Sequence, residues 1–223
     1  MKPATLLLLA AAAGAQPLVP VDPALAVIAT TKRFLQAAIS PDGKHLTYVE
    51  ALAAPDQSAI YIAPRIRIGA SPGSSGGGGR TACDEHAVAF SPDSGQIAFL
   101  SDCEKKEQLQ VYVAPAEGGS ARQLTHLKGL LAEPRWSPDG KRLAILFTEN
   151  LPHAAGPLDP VPPDSGVLES QIFEQRLTVV DVTAVHPEST ARQISPKDMY
   201  IYEYDWSPDG RSFAATADRK SVV

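Results

Sequence analysis

The chain has 223 residues, 44% of them hydrophobic, so it can bury a sizeable core, and disorder over its whole length is excluded. Its formal net charge is −5 and it contains no run of lysine or arginine, which argues against nucleic acid or an anionic membrane surface as a partner. Twenty prolines with few aromatic residues are typical of many short strands joined by turns.

The first 15 residues have the organisation of a secretion signal. Lys2 precedes an apolar run from Leu6 to Ala13, and small residues follow, so we expect cleavage after Ala15. The run is shorter than the ~18 residues that a membrane span needs. We therefore expect an exported protein, periplasmic or secreted, with residues 1–15 as the signal peptide and residues 16–32 as a leader.

One turn sequence, Ser-Pro-Asp-Gly with the variant Ser-Pro-Asp-Ser-Gly, occurs four times and organises the rest of the chain. Proline fixes φ at the first central position of a type I turn, aspartate suits the second, and glycine takes the left-handed position that follows. Apolar strands flank each copy, so each predicts a β-hairpin in which the turn is structural. The turn residues are Asp42 and Gly43, Asp93 and Gly95, Asp139 and Gly140, and Asp209 and Gly210.

The repeats predict an all-β fold, a partial β-propeller of four-stranded antiparallel blades. We expect three complete blades, at about residues 33–80, 81–126 and 130–196, and the first hairpin of a fourth at 199–217. A blade that stops after one hairpin has an unpaired edge, so we expect the chain to be a fragment. Residues 218–223 break the pattern, and we expect them to be a non-native tail.

The spacing of the repeats also locates an insertion. Ala191 follows Ala121 at the same distance as Trp206 follows Trp136, so the extra length of the third blade lies between its turn and its fourth strand. We place it at residues 151–170, which are rich in proline and lack strand periodicity. This stretch is either a solvated insertion or a loop that lines a site.

The two cysteines are placed symmetrically about the second turn. Cys83 lies as far before Ser91 as Cys103 lies after Gly95, so a hairpin closed by these turn residues sets the two sulfurs opposite one another. In an oxidising compartment this predicts a disulfide. The alternative is a zinc site of Cys83, His86 and Cys103, which is weaker because residues three apart on a strand point to opposite faces.

With the repeats in view, the chain resembles two families. An aromatic residue before Ser-Pro-Asp-Gly, an apolar strand, a Tyr-Val strand and a final Arg-Gln-Leu-Thr strand are similar to the WD40-like blades of the Tol-system periplasmic propeller. They are also similar to the N-terminal propeller of the prolyl oligopeptidase family of serine peptidases. The stretch from Ala37 to Gly43, close behind the signal, looks like the beginning of a dipeptidyl-peptidase-like propeller. The stretch from Asp198 to Trp206 looks like the Asp-x-x-Tyr-Glu segment of such propellers, where acidic residues hold the free amino terminus of the substrate.

The peptidase resemblance implies a propeller that gates and orients peptide substrates for a C-terminal hydrolase domain, which is missing from this chain. It implies a substrate contact for Glu203, with Tyr202 and Tyr204 beside it. One feature departs from the family pattern, because a single glutamate followed by Tyr204 stands where the dipeptidyl peptidases have paired glutamates. Two alternatives stay open: simple strand alternation that leaves Glu203 facing solvent, and a Tol-like propeller that acts as a scaffold for an envelope protein.

The sequence predicts no catalytic, cofactor or metal site. Ser71 and Ser75 each match Gly-x-Ser-x-Gly, but both lie in a glycine-rich stretch with no helix behind them. The five histidines lack metal-ligand spacing, and each turn aspartate is accounted for by its turn. We therefore expect this chain alone to be non-enzymatic and the parent protein to be a serine peptidase.

Overall fold

The computed structural model of the chain describes residues 31–54, 56–69, 83–151 and 173–219. The predicted signal peptide, nearly all of the leader, the glycine-rich stretch with Ser71 and Ser75, and most of the predicted insertion lie outside the described residues. So do residues 220–223 of the predicted tail.

The described residues form four antiparallel sheets that follow one another along the chain, and three of them have four strands. Within each of these three, the strands pair in sequence order, so each sheet is one blade, and the predicted fold class is confirmed. Blade 1 contains β1 (Phe34–Ile39), β2 (Leu46–Ala51), β3 (Ser58–Ile62) and β4 (Ile66–Ile68). Blade 2 contains β5 (Glu85–Phe90), β6 (Gln96–Ser101), β7 (Gln110–Pro115) and β8 (Arg122–Gln123). Blade 3 contains β9 (Gly129–Trp136), β10 (Arg142–Glu149), β11 (Gln175–Asp181) and β12 (Arg192–Gln193), with a 3₁₀ turn at Pro187–Thr190.

The fourth sheet is a hairpin of β13 (Met199–Trp206) and β14 (Phe213–Arg219). Its second strand is longer than the sequence analysis expected. Asp218 and Arg219, which we placed in the tail, pair with Tyr200 and Met199 as the last residues of β14.

In all four turns the serine joins the two ends of the loop. Its Oγ donates a hydrogen bond of 2.5 to 2.6 Å to the aspartate two residues later. The same Oγ accepts a bond of 2.9 to 3.0 Å from the backbone N–H five residues later, at the start of the returning strand. The serine hydrogen bond is the largest cause of a lowered pKa at each aspartate, and with the contacts of Lys44 it lowers the pKa of Asp42 to about 2. Each aspartate therefore has a structural partner, as the turn chemistry predicted.

The second turn differs from the other three in its left-handed position. Gly43, Gly140 and Gly210 have φ between 65° and 73°, as expected. In blade 2, however, Ser94 has a φ of 61°, and Gly95 follows it with an ordinary backbone conformation. The expectation that Gly95 takes the left-handed position is wrong, because the extra residue comes after the turn rather than inside it.

A one-residue bulge interrupts the first strand of every blade. In blade 2 it lies between His86 and Ala89, and in blade 3 it lies opposite the step from Ala144 to Leu146. Two of the bulged residues, Ala87 and Glu133, have positive φ although neither is glycine. A bulge re-aims the side chains beyond it, so strict alternation does not hold along these strands.

The bulge in blade 2 also decides how the cysteines meet. The turn closes with Ser91 N–H donating to the Gln96 carbonyl, one residue later than the pairing assumed from the sequence. The bulge then takes up one residue on β5, so that Glu85 lies opposite Ser101. Cys83 and Cys103 come together as a disulfide with Cα atoms 5.0 Å apart. Both sulfurs are thereby occupied, so the alternative zinc site is not available, and His86 instead lies 3.2 Å from Asp84.

The core lies between successive blades rather than inside any one of them. One cluster joins Val49 and Ile60 of blade 1 to Ile97 and Phe99 of blade 2. A second joins blades 2 and 3, and a third joins blade 3 to the β13–β14 hairpin. Side chains alternate along each second strand, so one set faces the preceding blade and the other faces the following blade.

Directed polar bonds fix the position of each blade on its neighbour. Trp136 Nε1 donates to the Ala89 carbonyl at 3.0 Å, and Trp206 Nε1 donates to the Arg135 carbonyl at 3.1 Å. Between blades 1 and 2, the Gln36 side-chain amide both donates to the Val88 carbonyl and accepts from the Val88 N–H. These bonds link the first strands in series, which brings β9 and β13 side by side.

Blades 1 and 2 also share a buried ion pair. Glu85 is fully buried at the start of β5, and its carboxylate lies 2.7 Å from Arg67 Nη2 of β4. A buried carboxylate requires such a partner, because removing an isolated charge from water costs several kcal/mol. This pair therefore belongs to the scaffold.

Candidate functional site

Charged residues from two blades meet at the first strands β9 and β13. Glu133 and Glu203 occupy the same repeat position, four residues before the turn serine, and Arg135 and Asp205 occupy the position two residues before it. In blades 1 and 2 these positions hold Gln36 and Ala38, and Ala87 and Ala89. The charged set is therefore specific to blades 3 and 4.

The bulge in β13 determines which predicted residues reach solvent. It falls between Ile201 and Glu203, so that Tyr202 is the extra residue. As a result both Tyr202, which is 50% exposed, and Glu203 are exposed although they are adjacent in sequence. The simple alternation left open for this strand does not hold, because Tyr204 is buried and Tyr202 is not, although Glu203 does face solvent as that alternative expected.

Tyr204 has a different role from the substrate contact that the resemblance implied. Its side chain is 3% exposed. Its hydroxyl lies 2.5 Å from the Glu133 carbonyl and 2.6 Å from the Ala144 carbonyl, and it can donate its proton to either of them. Burial is the main cause that raises the pKa of this hydroxyl far above its ordinary value. Tyr204 therefore anchors β13 on blade 3.

Arg135 organises the charges around that anchor. Its guanidinium carbon lies 5.4 Å from the centre of the Tyr204 ring. Its Nη2 is 3.3 Å from the Glu133 carboxylate, and its Nη1 is 3.9 Å from the Asp205 carboxylate. These groups are all substantially exposed, so the pairs contribute orientation more than stability.

Glu203 is the carboxylate of this group that Arg135 does not neutralise. Within the described part of the chain, it makes no hydrogen bond or ion pair. It lies in an open groove of about 390 Å³ lined by Arg135, Glu203 to Asp205, and Ala214 to Thr216. With Glu133, Glu203 and Asp205 set against one arginine, the surroundings of the groove carry net negative charge. An exposed carboxylate in such surroundings can pair with an ammonium group.

The sequence analysis found Glu203 but missed Glu133 and Arg135. The signal was present, because the spacing that relates Trp136 to Trp206 also relates Glu133 to Glu203 and Arg135 to Asp205. The dipeptidyl-peptidase pattern has its two glutamates adjacent on one strand. The structure instead shows glutamates at equal positions on neighbouring blades.

Residues 31–54, 56–69, 83–151 and 173–219 contain no group of three or more histidine, cysteine or acidic side chains that could hold a metal ion. The same described ranges contain no helix long and apolar enough to cross a bilayer.

Comparison with known proteins gives one sequence relative. The uncharacterized peptidase YuxL of Bacillus subtilis is 44% identical over 62 residues, which is 28% of this chain and 9% of that protein. The chain thus spans far less than two thirds of the relative's length. No family model matches the chain.

Solved structures match over most of the chain. TolB from Acinetobacter baumannii superposes with a TM-score of 0.51 and 20% identity over 82% of this chain and 37% of TolB. An acylaminoacyl peptidase in complex with a peptidyl chloromethyl ketone superposes with a TM-score of 0.54 and 16% identity over 88% of this chain and 30% of the peptidase. A prolyl endopeptidase superposes with a TM-score of 0.52 and 16% identity over 90% of this chain and 29% of that enzyme. This chain has a WD40-like β-propeller fold. The resemblance seen in the repeats is thereby confirmed at the level of fold, for both the TolB and the peptidase propellers.

The propeller fold gives the groove a position. Blades of a propeller surround a central channel. The first strands β1, β5, β9 and β13 succeed one another from blade to blade and are joined by the Gln36 and tryptophan hydrogen bonds. Glu133, Arg135, Glu203 and Asp205 all lie on two of these first strands, β9 and β13.

Proposed function

We propose that this chain is the propeller portion of an exported serine peptidase of the prolyl oligopeptidase family. In this proposal the propeller gates and orients peptides for a hydrolase domain that this chain does not contain. The observation that carries the proposal is the 44% identity to a peptidase over 62 residues, which is far above the identities to the fold neighbours. The propellers of an acylaminoacyl peptidase and a prolyl endopeptidase among those neighbours support it.

Within this proposal, Glu203 binds the free amino group of a peptide. Its carboxylate is exposed in the groove, and Arg135, the cation that lines the same groove, is directed toward Glu133 and Asp205. A charge-assisted hydrogen bond from an ammonium group to this carboxylate would fix the peptide terminus in the groove. Tyr202 lies beside Glu203 and offers an exposed ring against which the first side chain of the peptide can pack.

The proposal that catalysis resides in a separate hydrolase domain is tested with two proteins. The 223-residue chain should neither hydrolyse peptidyl p-nitroanilides nor react with a fluorophosphonate probe. The parent protein, extended along its reading frame, should react with the probe at a serine in a Gly-x-Ser-x-Gly elbow. A parent reading frame without such an elbow, or serine-dependent hydrolysis by this chain alone, would contradict the proposal.

The role of Glu203 is tested by peptide binding. The Glu203→Gln variant should bind a peptide with a free amino terminus about 10-fold more weakly, whereas binding of the acetylated peptide should not change. Glu117→Gln is the matched control, because it removes the same charge from an exposed turn of blade 2. Equal weakening of both peptides would assign Glu203 to general packing.

A Tol-like propeller that binds an envelope protein is the second candidate. It is supported by the two TolB structures, with TM-scores of 0.51 and 0.50. A reading frame that ends after further blades, together with capture of an envelope protein and no binding of free peptides, would favour this candidate.

A further inference from the structure

A second groove lies between blades 2 and 3 and shares no lining residue with the groove of Glu203. We call it the blade 2–3 groove, and its volume is about 520 Å³. Blade 2 contributes the side chains of Asp93, Gln96 and Arg122, and blade 3 contributes the loop from Val182 to Val185. The groove therefore has a polar wall on one blade and a largely apolar wall on the next.

The strands of blade 2 direct Gln96 and Arg122 toward blade 3. Gln96 stands two residues before Ala98 on β6, and Arg122 lies opposite Val113 in the pairing of β7 with β8. Ala98 and Val113 both belong to the core cluster that joins blades 2 and 3. Side chains two apart on a strand, or opposite one another across a pair, lie on the same face of a sheet. Gln96 and Arg122 therefore lie at the rim of this interface.

Arg122 is held at the rim by a single bond. Its Nη2 donates to the Val182 carbonyl at 2.8 Å, and among the described residues it makes no other hydrogen bond and no ion pair. A guanidinium has five N–H donors, so Arg122 keeps donors with which it can bind a carboxylate. Arg192 has the same repeat position in blade 3 but makes no hydrogen bond within residues 173–219 or the other described ranges. The orientation of Arg122 by a neighbouring blade is thus particular to this groove.

Asp93 and Gln96 supply the other polar groups. Asp93 Oδ1 accepts bonds from Ser91 Oγ at 2.5 Å and from the Gly95 N–H at 3.0 Å. Its Oδ2 accepts no hydrogen bond from the described part of the chain, and the carboxylate forms no ion pair there. The side-chain amide of Gln96 is likewise without a hydrogen bond to any described residue. The groove thus contains one cation and one anion that do not neutralise each other.

The loop of blade 3 is fixed by its own hydrogen bonds. Asp181 Oδ1 accepts from the Thr183 N–H at 2.8 Å and from Thr183 Oγ1 at 2.7 Å, and the Asp181 N–H donates to Thr190 Oγ1 at 2.8 Å. This loop holds Val185 at 90% exposure, beside the half-buried Ala184. An aliphatic side chain held in this way at the edge of a groove offers a contact for an apolar group of a ligand.

We propose that the blade 2–3 groove binds a free amino acid or dipeptide with an apolar side chain. The carboxylate of the ligand pairs with Arg122, its ammonium group pairs with Asp93, and its side chain packs against Val185. A zwitterion fits better than a simple anion, which Asp93 would repel, and better than a simple amine, which Arg122 would repel. The site does not depend on the peptidase assignment, although zwitterions of this kind are the products of peptide hydrolysis.

Titration calorimetry with L-valine and L-alanyl-L-valine tests the ligand class. The 223-residue chain carries Glu203→Gln throughout, so that the site proposed at Glu203 is weakened and each proposal can fail without the other. At least one of the two zwitterions should bind. Its N-acetylated form lacks the ammonium group and its amide lacks the carboxylate, so each should bind at least about 10-fold more weakly. The absence of binding by both zwitterions, or equal binding of a blocked form, overturns the proposal.

Substitutions of the two charged residues test their roles. Arg122→Gln and Asp93→Asn should each weaken binding by at least about 10-fold. Arg192→Gln and Asp209→Asn are the matched controls, because they change the same residue types at the same repeat positions in other blades, and both residues are exposed. Arg122→Lys keeps the charge and should retain more affinity than Arg122→Gln. Equal losses in a variant and its control, or equal losses in Arg122→Lys and Arg122→Gln, overturn the proposal.

Amide NMR spectra locate the ligand without any change in the groove. Addition of the bound zwitterion to the Glu203→Gln chain should shift the signals of Thr183, Ala184 and Val185 most strongly. The same signals should stay unchanged when the blocked forms are added at equal concentration. Shifts confined to β13 and β14 would place the ligand at the groove of Glu203 instead, and they would overturn the proposal even if the calorimetric selectivity were as expected.

Discussion

Trp136 Nε1 donates a 3.0 Å hydrogen bond to the carbonyl of Ala89 in the preceding blade, and its ring is almost completely buried. Trp206 makes the same bond to Arg135, but at an exposed position. The tryptophan before the turn thus has a double role. It fills the space between blades, and it fixes the height at which one first strand lies on the next.

Replacing Trp136 by phenylalanine should lower the free energy of unfolding by about 1 kcal/mol or more, since the Ala89 carbonyl loses its buried donor. Trp206→Phe should cost less, because water can replace the lost bond at an exposed site. Urea denaturation midpoints of the two variants give the comparison. Equal losses of unfolding free energy would show that the hydrogen bond of Trp136 adds nothing to the contribution of its ring volume.

The blade pattern could be predicted from the sequence because its chemistry is local. Proline, aspartate and glycine determine the turn, and alternating apolar residues determine the flanking strands. The bulges could not be predicted, since they place ordinary residues such as Ala87 and Glu133 at positive φ only where two blades pack together. For this reason the alternation assumed for β13 failed, while the position of the strand itself was predicted correctly.

The disulfide shows how a correct pairing can follow from an incomplete premise. The turn closes on Gln96 rather than Gly95, which alone would move Cys103 out of register with Cys83. The bulge on β5 takes up the same one residue and restores the register. For the candidate site, the sequence indicated Glu203 through a family pattern, whereas Glu133 required comparison of one repeat with the next.

The disulfide should be complete in chain produced in an oxidising compartment, and titration under denaturing, non-reducing conditions should find no free thiol. Its loss in the Cys83→Ser, Cys103→Ser double variant should reduce stability by roughly 3 kcal/mol, given a loop of this size. Two free thiols in the native protein, or an unchanged urea midpoint of the variant, would contradict this expectation.

The four turn aspartates should make the fold sensitive to acid. Their folded-state pKa values are lowered, so the stabilisation is fully present above the unfolded pKa of about 4 and is lost as the pH falls through the folded values. For Asp42 this interval runs from about pH 4 to about pH 2. Ser137→Ala should raise the pKa of Asp139 toward its ordinary value, which carboxyl NMR titration can measure. An unchanged pKa would mean that the backbone N–H of Lys141 is sufficient.

The hydroxyl of Tyr204 should matter to stability and that of Tyr202 should not. Tyr204→Phe removes the one hydroxyl proton that the Glu133 and Ala144 carbonyls share, and it should cost about 1 to 2 kcal/mol of unfolding free energy. Tyr202→Phe keeps the ring and removes a hydroxyl that has no hydrogen-bond partner in the described part of the chain, so its urea midpoint should equal that of the parent chain. If both variants were equally stable, the contact of Tyr204 with Glu133 and Ala144 would not anchor β13. The groove would then depend on the tryptophan bond to Arg135 instead.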